Sequence, residues 1–358
     1  MRVLGIMSGS SLDGLDLALC AFARKDAAWS VHIEAAKAVT FPDELHDRLL
    51  HMTTASAFDL AKAHTDLGRF IGTAAKAFLA ANGGAELVAS HGHTIFHQPG
   101  LGFTTQIGCG ARIAAITRLA TVVDFRSMDV ALGGQGAPLV PIGERDLFTG
   151  HDAFVNLGGI ANASFHGKSI SGYDVCICNQ ALNFLANEAG QPFDRDGVIA
   201  RSGKIDPERL SRLGAMPFMQ APIPRSMGRE QFEGEVLQLL TNSPLPLAER
   251  MRTFVEHIAS ALAVAFDTGK ANKVLTTGGG AHNSFLIERI RDRFTGELII
   301  PDALTVDFKE AMIFAYLGLL RWRGEVNALR SVTDASRDSI GGAVYLPYQT
   351  DYLGRIDQ

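Results

Sequence analysis

Serine, aspartate and glycine crowd one short stretch near the start of the chain. Residues Gly5 to Asp16 read Gly-Ile-Met-Ser-Gly-Ser-Ser-Leu-Asp-Gly-Leu-Asp. Ser8, Ser10 and Ser11 bring hydroxyls, and backbone N–H groups exposed beside them can hold phosphate oxygens. Gly9 and Gly14 tolerate positive φ and let the backbone approach a ligand closely. Asp13 and Asp16 can face a metal or a hydroxyl. The flanking residues, Met1 to Ile6 and Leu15 to Ala23, read as strands, so the stretch is a tight turn between them. A polar hairpin turn with no ligand accounts for the same residues equally well. It is not a P-loop, because no Gly-Lys-Ser/Thr follows and no helix opens there.

The second half repeats the theme. Ala153 to Asn156 reads as a strand, Leu157-Gly158-Gly159-Ile160-Ala161-Asn162 as a glycine turn, and Ala163 to Phe165 as a strand. Two facing turns of this kind would cradle a phosphate chain from both sides of a cleft. Gly278-Gly279-Gly280 follows a strand over Lys273 to Thr276 and precedes a helix over Asn283 to Arg293. Glycines before a helix let a flat or anionic ligand approach the backbone. His91, His93 and His97 with Cys176 and Cys178 are of zinc-ligand types, but their spacing fits no recognised zinc pattern. The two cysteines read better as small buried hydrophobes. No Gly-x-Ser-x-Gly elbow is present, which argues against an α/β-hydrolase.

The elements that position these residues alternate as in an α/β fold. Strands are expected over 29–39, 86–90, 121–125 and 341–346, and helices over 42–52, 55–81, 111–119 and 309–323. The Gly133 to Pro138 loop suggests a boundary, giving domains of 1–130 (completed by 347–358) and 131–346. With 358 residues and 47% hydrophobic residues, the chain can bury a sizeable core. A net charge of −5 argues against a general nucleic-acid binder. No apolar run is long enough to span a bilayer, and no signal peptide is visible. Four cysteines in a chain this long do not form a disulfide framework, so the expectation is a reduced, cytoplasmic protein.

The opening motif resembles that of the anhydro-N-acetylmuramic acid kinase family. Ser90-His91-Gly92-His93-Thr94, Asp124-Phe125-Arg126, Gly133 to Pro141 and Asn156 to Asn162 match further blocks of that family in order. So do Met227-Gly228-Arg229-Glu230, Gly278-Gly279-Gly280 and Lys309-Glu310-Ala311. The resemblance implies an α/β, two-domain, actin-like (ribonuclease H-like) sugar-kinase fold with a nucleotide cleft between the domains. It implies a reaction in which water opens the 1,6-anhydro ring of an amino sugar while O6 takes the γ-phosphate of ATP. The product is N-acetylmuramic acid 6-phosphate, in peptidoglycan recycling. Asp174 matches the catalytic aspartate, and a carboxylate there would act as general base. ATP is expected on residues Gly9, Ser10, Ser11, Leu12, Asp13, Gly14, Leu15 and Asp16 and on Asn156, Gly158, Gly159, Gly278, Gly279 and Gly280. The sugar is expected on His93, Thr94, Asp124, Arg126 and Glu230, with Arg229 near the phosphates. Mg2+ would be held mainly by the ATP phosphates, with Asp13 the candidate protein ligand. A homodimer is implied by the resemblance alone.

The chain departs from the family at three places. After the aspartate the family reads Thr-Gly-Pro-Gly-Asn, whereas this chain reads Val175-Cys176-Ile177-Cys178-Asn179. β-Branched Val and Ile resist glycine dihedrals, so a stiffer, more apolar segment is expected. His93 stands where the family has Gln, and Cys109 where it commonly has Asp. The alternatives are a diverged sensor that binds nucleotide or amino sugar without turnover, or a kinase of a related sugar.

Overall fold

The computed structural model describes residues 1–347 apart from 10, 11, 13, 224, 226, 228–231 and 242, and apart from the side chains of 233 and 235. The strands in order begin with β1 (Arg2–Met7), β2 (Gly14–Lys25), β3 (Ala28–Thr40) and β4 (Leu87–Ser90). Then come β5 (His93–Gln98), β6 (Phe103–Ile107), β7 (Ala120–Val123), β8 (Ala153–Leu157) and β9 (Ile160–His166). The last four are β10 (Ile170–Ile177), β11 (Lys273–Thr277), β12 (Glu297–Ile299) and β13 (Ala343–Tyr345).

Two compact units result, Met1–Thr149 with the chain from Phe308 onward, and Gly150–Asp307. In unit 1 the sheet runs β13-β7-β4-β1-β2-β3. β1 is antiparallel to β2 and β2 to β3, whereas β4 is parallel to β1 and β7 to β4. In unit 2 the sheet runs β10-β9-β8-β11-β12. Here β8–β9 and β9–β10 are antiparallel, and β11 is parallel to both β8 and β12. Numbered within each unit, with the separate β5–β6 hairpin and the added edge strand β13 left out, both sheets share the order 3-2-1-4-5 with the same strand senses. That is the ribonuclease H-like sheet, and its duplication in one chain is the actin-like architecture expected above.

The sequence explains the layering. Val3, Leu4 and Ile6 in β1 are all buried, because this central strand is covered on both faces. On one face lie Leu67, Ile71 and Ala75 of the helix Ala57–Ala81, and on the other Ile313, Tyr316 and Leu317 of the helix Ala303–Arg323. Gly5 is required there, since a Cβ would overlap the Ala311 carbonyl oxygen. In unit 2 the helix Leu247–Thr268, which the sequence reading did not single out, packs Phe254, Ile258, Leu262 and Phe266 into the core.

The units do not divide at the Gly133–Pro138 loop. The stretch after residue 130 is tied back to unit 1: the Gly134 and Gly136 N–H groups donate to Asp129, and the Gln135 N–H to the Thr333 carbonyl. The buried Lys309 Nζ donates to Glu144 Oε1 at 2.8 Å. These links join positions far apart in sequence, which a local composition shift does not report. Unit 1 also resumes at Phe308, within a helix, rather than near residue 347. Of 347–358 only Pro347 is described.

Candidate active site

In unit 1 the first turn begins where β1 and β2 part, with Met7 opposite Asp16. Gly14 has φ +150°, and a Cβ there would overlap the Val39 carbonyl oxygen. Leu12 has φ +60°, its N–H donates to Gly9 O at 3.3 Å, and its side chain is buried. Leu15 is also a core residue, so these two leucines can offer a ligand main chain alone. Asp16 lies within β2 rather than in the turn. Ser10, Ser11 and Asp13 lie outside the described residues.

β4 and β7 end beside this turn's strand, since β1 pairs with β4 and β4 with β7. Ser8 is buried, with its Oγ 3.2 Å from His93 Nδ1. Burial pushes the His93 pKa down to about 4, so the ring is neutral near pH 7. His91 Nε2 accepts from Arg126 Nε at 3.0 Å, so its Nδ1 carries the proton and donates to Gly92 O at 3.0 Å. Arg126 Nη1 donates to Gly136 O at 2.7 Å. Burial pulls the Arg126 pKa down to about 10, opposed by Glu310, and the group remains a cation. Glu310 itself is raised by burial, against the pull of Lys309 and Arg126. The sequence reading placed Glu310 in a matching block without assigning it a role. The available signal was an acid next to Lys309 in an otherwise apolar helical run.

A cavity of ≈ 230 Å³ is lined here by Gly92, Gln106, Asp124 and Ser127, among others. Asp124 has φ +57° and accepts from Ser127 Oγ at 2.6 Å. Gln106 Nε2 donates to Thr94 Oγ1 at 3.3 Å and to Thr104 Oγ1 at 2.8 Å. Among the described residues the buried Gln106 Oε1 has no hydrogen-bond partner, and such an orphan acceptor suits a hydroxyl or N–H of a ligand. Thr104 and Gln106 went unnoticed in the sequence because the β5–β6 hairpin itself was not foreseen.

In unit 2 register lines up a polar row. Asp174 is opposite Asn162, Asn162 opposite Asn156, and Asn156 opposite Thr277. Directly opposed residues share a face of the sheet, so the aspartate and the asparagine motif are brought together across four strands. Thr277 Oγ1 is buried and has no hydrogen-bond partner among the described residues. Gly278 has φ +84°, and a Cβ there would overlap Asn156 Oδ1. A Cβ on Gly280 would crowd Leu157 at 2.7 Å. The Gly278–Gly280 run and the Gly158–Gly159 turn therefore sit side by side. The run forms a 3-10 turn, Gly279–His282, before the helix Ser284–Arg291.

Asp174 lies inside β10, next to a bulge, rather than at a strand end. Its Oδ2 accepts from the Met227 N–H at 2.7 Å, and its own N–H donates to Arg225 O at 3.0 Å. The Val175–Cys178 segment is no loop. β10 runs through Ile177, and all four side chains are buried. Both thiols are raised by burial, which makes them inert hydrophobes at neutral pH. Arg229 and Glu230 lie outside the described residues.

The glycine cradle, the orphan threonine and the carboxylate in one row suit a phosphate-bearing ligand beside a proton acceptor. The anhydro-N-acetylmuramic acid kinase family matches residues 1–347. The chain belongs to that family. Its function class is therefore enzymatic phosphoryl transfer. An anhydro-N-acetylmuramic acid kinase of Sulfurovum sp. (strain NBC37-1) is 35% identical over 363 residues, covering 96% of this chain and 99% of the relative. The kinase of the same name from Vibrio cholerae (serotype O1) is 34% identical over 366 residues, covering 96% and 98%. Among solved structures, a ROK family glucokinase from Streptomyces griseus in complex with glucose and AMPPNP covers 88% of this chain and 98% of its own. At 14% identity and a TM-score of 0.41 that likeness carries no argument, and the fold rests on the strand order. No described helix is long and apolar enough to cross a membrane. Among the described residues no three His, Cys, Asp or Glu side chains cluster to hold a metal.

Proposed function

We propose that the chain is an ATP-dependent kinase that opens the 1,6-anhydro ring of anhydro-N-acetylmuramic acid and phosphorylates O6. The products are N-acetylmuramic acid 6-phosphate and ADP, as peptidoglycan recycling requires. The observation that carries this reading is the row Asp174–Asn162–Asn156–Thr277 beside the Gly278–Gly280 cradle.

In the reaction, Asp174 takes a proton from the water that attacks the anomeric carbon. The bond from that carbon to O6 breaks, and O6 attacks the γ-phosphorus as ADP departs. The Met227 N–H donates to the carboxylate and holds it in place. The N–H groups at Gly9, Gly158, Gly159 and Gly278 to Gly280 hold phosphate oxygens without a side chain in the way. Asn156 and Thr277 supply hydrogen bonds beside them. Mg2+, carried mainly on the phosphates, would neutralise charge on the transferring group. His93, Thr94, Asp124 and Arg126 orient the sugar, with Arg126 the fixed cation and the neutral His93 a hydrogen-bonding group. Glu230 stays a sugar-binding candidate and Asp13 a metal candidate. A cytoplasmic homodimer completes the proposal, to be checked by sedimentation.

The test is ADP release with ATP, Mg2+ and 1,6-anhydro-N-acetylmuramic acid, with mass spectrometry of the sugar. A product heavier by one phosphate and one water supports the reading. ATP binding without product would favour the diverged binder, whose motivation is the buried Val175–Cys178 strand in place of a glycine loop.

A further inference from the structure

A cavity of ≈ 570 Å³ opens within unit 2, lined by β10, residues 219–223 with Arg225, and the helix Leu247–Thr268. Its size is that of a small-molecule site. Val175, Ile223, Ala261, Val264 and Ala265 make its walls apolar. Val175 is one of the residues at which this chain leaves its family's pattern, where a threonine would put a hydroxyl on the wall.

Polar groups interrupt that lining: Tyr173, Gln220, Ser260 and Thr268, and with them His257 and Arg225. His257 is 3% exposed, and among the described residues its ring nitrogens have no hydrogen-bond partner. Its ring meets Phe254, with centroids 5.5 Å apart. Burial pushes its pKa down to about 4, so the ring offers one donor and one acceptor. Arg225 donates to the carbonyls of Asp174, Val175, Phe218, Met219 and Ala221, and lies over the Phe218 ring at 4.5 Å. Carbonyls satisfy its N–H groups without cancelling its charge. Among the described residues no carboxylate reaches it.

We propose that this cavity binds a small carboxylate with an apolar body, the charge complementing Arg225, a hydrogen bond coming from His257, and the body lying along Ala261 and Val264. A neutral ligand would leave the cation uncompensated, and a purely ionic one would waste the apolar wall. The site reports to Asp174. Arg225 grips the main chain of Asp174 and Val175, and two residues on, the Met227 N–H holds the Asp174 carboxylate. Arg225 is thus a positioning residue, and ligand in the cavity shifts turnover through it.

The experiment titrates the full chain with octanoate and, separately, with 1-octanol by calorimetry. Octanoate binds once per chain, and 1-octanol binds at least tenfold more weakly. Ala261→Trp fills the cavity and weakens octanoate at least tenfold, while its circular dichroism matches wild type. Should that variant not fold, Val264→Trp, on the exposed rim, gives the same loss. His257→Phe weakens octanoate several-fold. Equal affinity for octanoate and octanol overturns the proposal, as does absence of binding or binding unchanged in both tryptophan variants. A dimer that Val264→Glu dissociates also overturns it, because the occupant is then a second copy. These titrations need no turnover, so they fail or succeed independently of the kinase reading. The coupling to Asp174 is read separately, as an octanoate-dependent change in kcat that is lost in Ala261→Trp.

Discussion

The two units share a strand order and differ in what they place on it. In unit 1 charge is held by partners: Lys309 pairs with Glu144 in the core, and Arg126 donates to the neutral His91 and is attracted by Glu310. In unit 2 the corresponding surface is a row of neutral amides and hydroxyls ending in one carboxylate, beside glycines whose backbone is bare. One sheet thus fixes charge in place, and the other offers bare backbone and a carboxylate. Duplication of a fold leaves the chemistry of each copy free to diverge.

The comparison breaks most directly at Asp174. Asp174→Asn keeps its hydrogen bond from Met227 but cannot take a proton. Turnover is expected to fall by about 10³-fold with ATP affinity unchanged, as steady-state kinetics and calorimetry would show. Unchanged turnover would remove the base from unit 2.

Unit 1 is tested by Lys309→Met, which removes the lysine from the buried Glu144. A loss of about 3–5 kcal/mol is expected from urea unfolding, and Lys309→Met with Glu144→Leu should recover most of it. If the single variant is as stable as wild type, the buried pair is not the anchor of that unit.

Acid gives the next effect. His93 and His257, one in each unit, both have folded pKa values lowered to about 4. The unfolded chain therefore binds more protons than the folded one between about pH 6.5 and pH 4. Stability should be flat with respect to these groups above that window and decline as pH falls through it, each contributing up to about 3 kcal/mol. His257→Phe should flatten the decline in urea midpoints against pH. An unaltered slope would show that the imidazole is already charged.

The smallest effect is expected at the cradle. Gly278→Ala adds a Cβ against Asn156 at a positive φ, at a cost of about 1–3 kcal/mol. Nucleotide affinity should drop while Lys309→Met, after correction for stability, leaves it alone. Equal losses in the two variants would erase the distinction between the units.

The glycine turns and most of their strands were legible in the sequence, because short apolar runs stopped by Gly and Ser are local signals. Their meaning as a repeat was legible only as strand-turn-strand, since the order 3-2-1-4-5 is set by pairings between distant segments. The row from Asp174 to Thr277 depends on register, with a bulge after Asp174, and no spacing rule reveals it. The Val175–Cys178 segment looked like a stiffened loop. It is a buried strand because Val and Ile favour extended backbone and Cys fits the interior. The division after Thr149 was hidden because Glu144 finds its lysine at position 309.

That late partner has a consequence for synthesis. Unit 2 is one continuous stretch, 150–307, and can close its core as soon as it has emerged from the ribosome. Unit 1 emerges first but waits. Its β1 is shaped around a helix made near the end of translation, with Gly5 hollowed out for Ala311. Until that helix arrives, one face of the first sheet is bare apolar surface, and the inserted unit can be native before the unit that precedes it.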